Sequence, residues 1–150
     1  MFRLAMDRPR GCLVRCAKES QRFFALVRAG SVHVLSSAVV LRELVLAPEQ
    51  VRGVLESLSP GQLEVVEITP AILELRDAYL AARIVSQRSS DDATHVAAAT
   101  VARADAIVSW NFQHIVRLDR MRAYNQVNLT NGYGLLSIVS PQEVRLDDEE

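Results

Sequence analysis

A few oxygen-bearing side chains stand against the local pattern of this 150-residue sequence. Glu43 has Val39 and Val40 one turn before it and Leu46 and Ala47 one turn after, so on a helix its carboxylate emerges from an apolar stripe. A charge there needs a counter-charge, which one of the many arginines could supply, or a metal ion. Asp91 and Asp92 open an alanine-rich segment that Ser90 is placed to cap, and the helix macrodipole accounts for one acid in that first turn. The segment continues Thr94-His95-Val96-Ala97-Ala98-Ala99, small and apolar enough to pack deeply, which would carry a carboxylate to the junction of helix and sheet. His95, one turn beyond Asp92, could orient that acid, contact phosphate or make an ordinary buried hydrogen bond. Asn111 follows a strand-like run over 105–109 and could ligate a cation or hold a water, more weakly than a carboxylate would. Near the start, Phe2, Leu4 and Met6 alternate with Arg3 and Ala5 before reaching Asp7, a short strand with an acid at its carboxyl end.

Positioning these groups falls to an alternation of strands and helices. Val32-His33-Val34-Leu35 is a strand-like run ended by Ser36 and Ser37, and Ser37 can cap a helix over about 38–47. Pro48 suits the first turn of another helix reaching residue 58. Ser59-Pro60-Gly61 is a turn by composition, 63–68 reads as a strand, and Thr69-Pro70 opens a helix whose Ile72, Leu75, Tyr79 and Ala82 recur at helical spacing. A polar loop over 86–90 precedes a helix from 91 to about 103; strands follow at 105–109 and 135–139, with loops and short helical pieces between. This alternation predicts a parallel sheet covered on both faces, in which ligands bind at the carboxyl ends of the strands. A central strand of such a sheet should be apolar on both faces, an expectation that Arg3 violates.

Length and composition suit one globular domain over 1–150: hydrophobic residues are 49% and charged residues 23%, which excludes a disordered or fibrous chain. At 5% aromatic, stacking platforms for exposed bases are scarce and the core must be aliphatic. The net charge of -1 hides an asymmetry, with seven basic and two acidic residues in 1–30 against ten and sixteen in the remainder. Sixteen of the seventeen basic residues are arginine, suited to forked contacts with phosphate or carboxylate, although coding bias alone gives the same composition. Cys12 and Cys16 match neither a zinc ribbon nor a C-x-x-C redox pair and read as reduced thiols. With no apolar stretch near the roughly 18 residues needed to cross a bilayer and no secretory leader, the expectation is a cytoplasmic protein without membrane contact. The acidic run 147–150 reads as a solubilising tail.

Three runs together carry a resemblance: LRELVLAPEQVRGVLESL around Glu43, DATHVAAATVARADAIVSWNFQHIV over 92–116, and NLTNGYGLLSIVSPQEV over 128–144. They resemble PIN-domain proteins of the VapC-like toxin type, from about residue 20 to residue 144, most specifically in the middle run. The resemblance implies an α/β three-layer α/β/α sandwich with a mostly parallel sheet, a metal-dependent ribonuclease activity, and a toxin–antitoxin setting with an antitoxin protein and a homodimer as partners. Glu43 matches the family's helix glutamate, Asp92 its third acid, and Asn111 the place where many members have another aspartate, with Ser109 beside it. The N-terminal strand departs from the family: LAMDRPRGC offers Asp7 as the acid, but Arg8 and Pro9 replace the small polar residues expected after it.

The implied site therefore has Glu43, Asp92 and Asn111 as catalytic residues, with Asp7 completing the shell of Mg²⁺ or Mn²⁺. Hydrolysing RNA needs a nucleophilic water and neutralisation of charge growing on phosphoryl and leaving oxygens, which such a cation supplies, and hard cations take oxygen ligands. Carboxylates gathered without metal would repel one another. Backbone phosphates would lie on arginines, with the basic N-terminal segment the natural surface. The degenerate start and Asn111 motivate the alternative of a catalytically impaired homologue acting through protein or antitoxin binding.

Overall fold

The strands Val32–Ser37 (β2), Leu63–Val66 (β3), Ala106–Val108 (β4) and Ser137–Val139 (β5) join Phe2–Met6 (β1) in a five-stranded parallel sheet of order β3-β2-β1-β4-β5. This computed structural model describes residues 2–6, 15–38, 40, 53, 56–109 and 115–145, with backbone alone for 2–6, 15–17, 19 and 20. Among the described residues the helices are Arg15–Arg28 (α1), Pro70–Ala81 (α2), Ser90–Val101 (α3) and Leu118–Thr130 (α4), with a 3₁₀ turn at Gln87–Ser89. The protein is thus mixed α/β with a parallel sheet. β1 is its central strand despite Arg3, which lies in register with His33 of β2.

The pleat sends alternate side chains to opposite faces, and each face has its own core. Leu35, Ile107 and Ile138 join Ile72, Leu75 and Tyr79 of α2, the buried side of α3, and Tyr124 of α4. Val32, Val34, Ala106 and Val108 join Phe23 and Val27 of α1, one helical turn apart, together with Val40, Leu58 and Val144. α1, the described helix of the basic N-terminal segment, therefore lies across the sheet from α3. Its Arg22 donates to the carbonyls of Pro141 and Gln142 at 3.2 and 3.3 Å.

Local chemistry explains the helix boundaries. Thr69 accepts from Ile72 N and Pro70 takes the first helical position, as the Thr-Pro pair predicts. Ser37 Oγ accepts from Val40 N at 3.2 Å, the cap expected there, and Ala38 and Val40 are helical. Gly53 and Glu56 are helical too, and Ser57 N donates to Gly53 O at 3.1 Å; the rest of the two helices expected over 38–58 lies outside the described residues. Ser90 is not the cap of α3. The 3₁₀ turn runs directly into that helix, leaving Ser90 with helical angles (φ -60, ψ -30) and Ser89 at the cap position without a side-chain bond. Ala82, expected on the buried stripe of α2, is exposed because the helix ends before it.

The four helices close alike. In each, the second residue past the helix has a positive φ and donates three residues back, and the next residue donates five back. Glycine fills that left-handed position after α1 (Gly30) and α4 (Gly132), where it is conformationally free; arginine fills it after α2 (Arg83, φ 57) and α3 (Arg103, φ 57).

Candidate functional site at the carboxyl edge of the sheet

Strand order reverses beside β1: the chain steps outward to β2 and β3, then crosses to β4 and β5 on the other side. In open parallel sheets this switch point, at the carboxyl ends of the strands, is the crevice that receives ligands. Ala5 is in register with both Leu35 and Ile107, so Ser37 and Ser109, each two residues further on, stand level with one another on either side of the exit of β1. Two strand spacings separate them, about 10 Å. Ser109 N donates to Val139 O at 2.9 Å, extending the ladder past β4, and both serines are buried.

α3 is anchored to this edge. Every residue from Asp92 to Thr100 is buried, which the small side chains permit, and the hydroxyls of Thr94 and Thr100 are satisfied by carbonyls one turn back (2.8 and 2.9 Å). His95 Nδ1 lies 3.3 Å from Ser37 Oγ, so the side chain one turn beyond Asp92 touches the end of β2. A buried hydrogen bond is one of the roles expected for His95.

Asp91 is exposed, as the macrodipole alone would leave it, whereas Asp92 is 3% exposed. Its Oδ1 is buried and has no hydrogen-bond partner among the described residues. A carboxylate oxygen in that state is what an oxygen-seeking cation or an incoming donor would satisfy. Of the four expected site residues only Asp92 can be placed; Asp7, Glu43 and Asn111 lie outside the described residues, although in sequence Asp7 follows the last residue of β1. Among the described residues no group of three or more His, Cys, Asp or Glu side chains is arranged to hold a metal.

Sequence reasoning missed Tyr124, a neighbour of this site. It is fully buried on α4, with its ring edge-on to Tyr79 at 4.7 Å. Burial pushes its hydroxyl well above the ordinary phenol range, Arg120 one turn before it pulls the other way, and the Asp92 carboxylate adds to the upward push. Its Oη has no hydrogen-bond partner among the described residues. Tyr79 Oη, by contrast, donates to Asn128 Oδ1 and lies 3.3 Å from Thr100 Oγ1. Asn125 Oδ1 then accepts from Leu136 N at 2.7 Å, so a polar seam ties α2, α3 and α4 to the approach of β5.

No helix among the described residues is long and apolar enough to cross a membrane. In comparisons with protein-family models, curated proteins and solved structures, no match to this chain was found.

Proposed function

We propose that this chain is a metal-dependent endoribonuclease of the PIN type, built as a three-layer α/β/α sandwich, that hydrolyses RNA phosphodiester bonds at the carboxyl edge of its sheet. The observation that carries the reading is the Asp92 carboxylate, buried at the entrance of α3 with one oxygen lacking a partner among the described residues, beside a parallel sheet whose strand order switches next to β1. Asp92 fits an oxygen ligand of Mg²⁺ or Mn²⁺, and the resemblance supplies Glu43, Asp7 and Asn111 as its companions. Bound there, such a cation supplies an acidified water and neutralises charge developing on the phosphoryl oxygens. The protein's own part is to hold the Asp92 oxygen in a fixed, dry position: α3 is packed along its whole buried length, and the Ser37–His95 contact fixes its first turns against β2.

The test is cleavage of single-stranded RNA by the purified chain. We expect cleavage with Mg²⁺ or Mn²⁺ that EDTA abolishes, and a loss on the order of a hundredfold or more in a folded Asp92→Asn variant, since a metal site contributes several kcal/mol of charge stabilisation. Undiminished cleavage by that variant, or background cleavage across a metal titration, would overturn the assignment.

A further inference from the structure

The expected nucleic-acid surface was the basic N-terminal segment, but α1 packs on the sheet face away from α3 and Asp92. A different cationic surface adjoins the site. Between the end of α2, the loop leading to α3 and the first turn of α4 lies a cleft of about 530 Å³, lined by Arg83 and Arg120 with the polar side chains of Ser86, Gln87 and Ser89 between them. None of its lining residues is acidic. Ser89 immediately precedes α3, so the cleft adjoins the helix end that carries Asp91 and Asp92. Arg120 and Asp92 both act on the Tyr124 hydroxyl, Arg120 drawing its pKa down and Asp92 pushing it up, so the cleft and the site share that neighbour. Two guanidinium groups, hydroxyls and an amide, set beside the aliphatic side chains of Leu80, Ile84 and Val85, make a receptor for a phosphate group.

We propose that this cleft binds a backbone phosphate of a single-stranded RNA whose chain continues into the Asp92 site. The inference deepens the nuclease reading and rests on it for the identity of the ligand. Contact is through the phosphate, so it positions the strand without reading its sequence.

The left-handed conformation of Arg83 provides a test that separates binding from folding. Arg83→Gly removes the guanidinium while placing the residue best suited to φ 57 at that position, and Arg103→Gly makes the same change after α3, outside the cleft. Binding of a fluorescent twelve-nucleotide single-stranded RNA, followed by anisotropy in EDTA across a salt series, is the readout. We expect Arg83→Gly to melt at or above the wild-type temperature yet bind about tenfold more weakly, with the salt slope reduced by about one phosphate contact. Arg120→Gln should weaken binding to a similar degree, and Arg103→Gly should bind as the wild type does.

Wild-type affinity and salt slope in folded Arg83→Gly, an equal loss in Arg103→Gly, or no binding by the unaltered chain would each overturn the cleft assignment. Cleavage is scored separately with Mn²⁺. RNA that is cut normally by a variant with unchanged affinity removes the cleft and leaves the nuclease reading, whereas RNA bound through Arg83 but never cut does the reverse.

Discussion

Ser37 Oγ and His95 Nδ1 meet at 3.3 Å across 58 positions of sequence, joining the last residue of β2 to the second turn of α3. The same hydroxyl accepts from Val40 N at 3.2 Å, so one buried oxygen both starts the helical segment after β2 and fixes the entrance of α3. Ser37→Ala removes both bonds and leaves the imidazole without this contact. A lost cap costs about 1 kcal/mol and a buried hydrogen bond about another, so equilibrium denaturation should show a loss of about 2 kcal/mol. A change within about 0.5 kcal/mol, the range of ordinary surface substitutions, would show that the contact does not hold α3 in place.

Tyr79 and Tyr124 couple the stability of the fold to alkaline pH. Burial raises both hydroxyls above the ordinary value of 10.0, so each stays protonated in the folded chain at pH values where the unfolded chain has lost the proton. Their contribution is whole below pH 10 and is lost as pH climbs from there through the raised folded values, at about 1.4 kcal/mol per pH unit for each tyrosine. Stability measured from pH 9 to 11.5 should therefore turn down near pH 10. Tyr124→Phe removes one of the two contributions and should make the fall shallower.

The same two residues should differ sharply at neutral pH. The Tyr79 hydroxyl is held by Asn128 and Thr100, so Tyr79→Phe strands buried partners and should cost about 1–3 kcal/mol. The Tyr124 hydroxyl is buried without a hydrogen-bond partner among the described residues, so Tyr124→Phe should be neutral or slightly stabilising. Equal losses from the two changes in urea unfolding would contradict this account of the seam.

What was legible in the sequence divides along physical lines. Runs of β-branched residues mark β2 and β4, and Thr69-Pro70 marks the start of α2, because in each the local chemistry and the fold agree. α4 was not legible. Leu118 and Leu129 are exposed at 62% and 59% while the polar Asn128 is completely buried, so its apolar residues are split between solvent and the packed face. The packed face holds Met121, Tyr124 and Val127 and is tied by the hydrogen-bonded seam from Tyr79 to Asn128, a long-range arrangement that no local window contains. At the candidate site, the deep packing of α3 and the depth of Asp92 followed from small neighbours and helix position. The part played by Ser37 beyond its cap did not, because its partner His95 lies far along the chain. Arg83 and Arg120 gave no signal either, since they are two among sixteen arginines and converge only through the ends of α2 and α4.

Arginine in the left-handed position after α3 predicts a stabilising substitution. A non-glycine residue there costs about 1–2 kcal/mol in Cβ crowding, partly offset in glycine by its larger unfolded-state entropy. Arg103→Gly should therefore gain up to about 1 kcal/mol in thermal or urea unfolding, as Gly30 and Gly132 already occupy the equivalent positions after α1 and α4. A loss would mean that the exposed arginine side chain contributes more than the backbone geometry costs.

The buried carboxylate of Asp92 makes metal binding measurable without any substrate. A ligand that binds only the folded state adds RT ln(1 + [L]/Kd) to stability, about 2.7 kcal/mol at a hundredfold excess over Kd. Titrating Mn²⁺ into the wild-type chain should raise its melting temperature saturably, and EDTA should reverse the shift. Asp92→Asn keeps the side chain's size but removes the charge that a hard cation requires, so its melting temperature should be insensitive to Mn²⁺. In EDTA the order should invert: without a cation the wild type buries an oxygen that lacks a partner among the described residues, and the neutral amide lessens that burden, making the variant equal or more stable. The two conditions together separate a ligand from a structural acid. A structural role for Asp92 predicts a variant less stable in EDTA, with an Mn²⁺ response that survives the substitution.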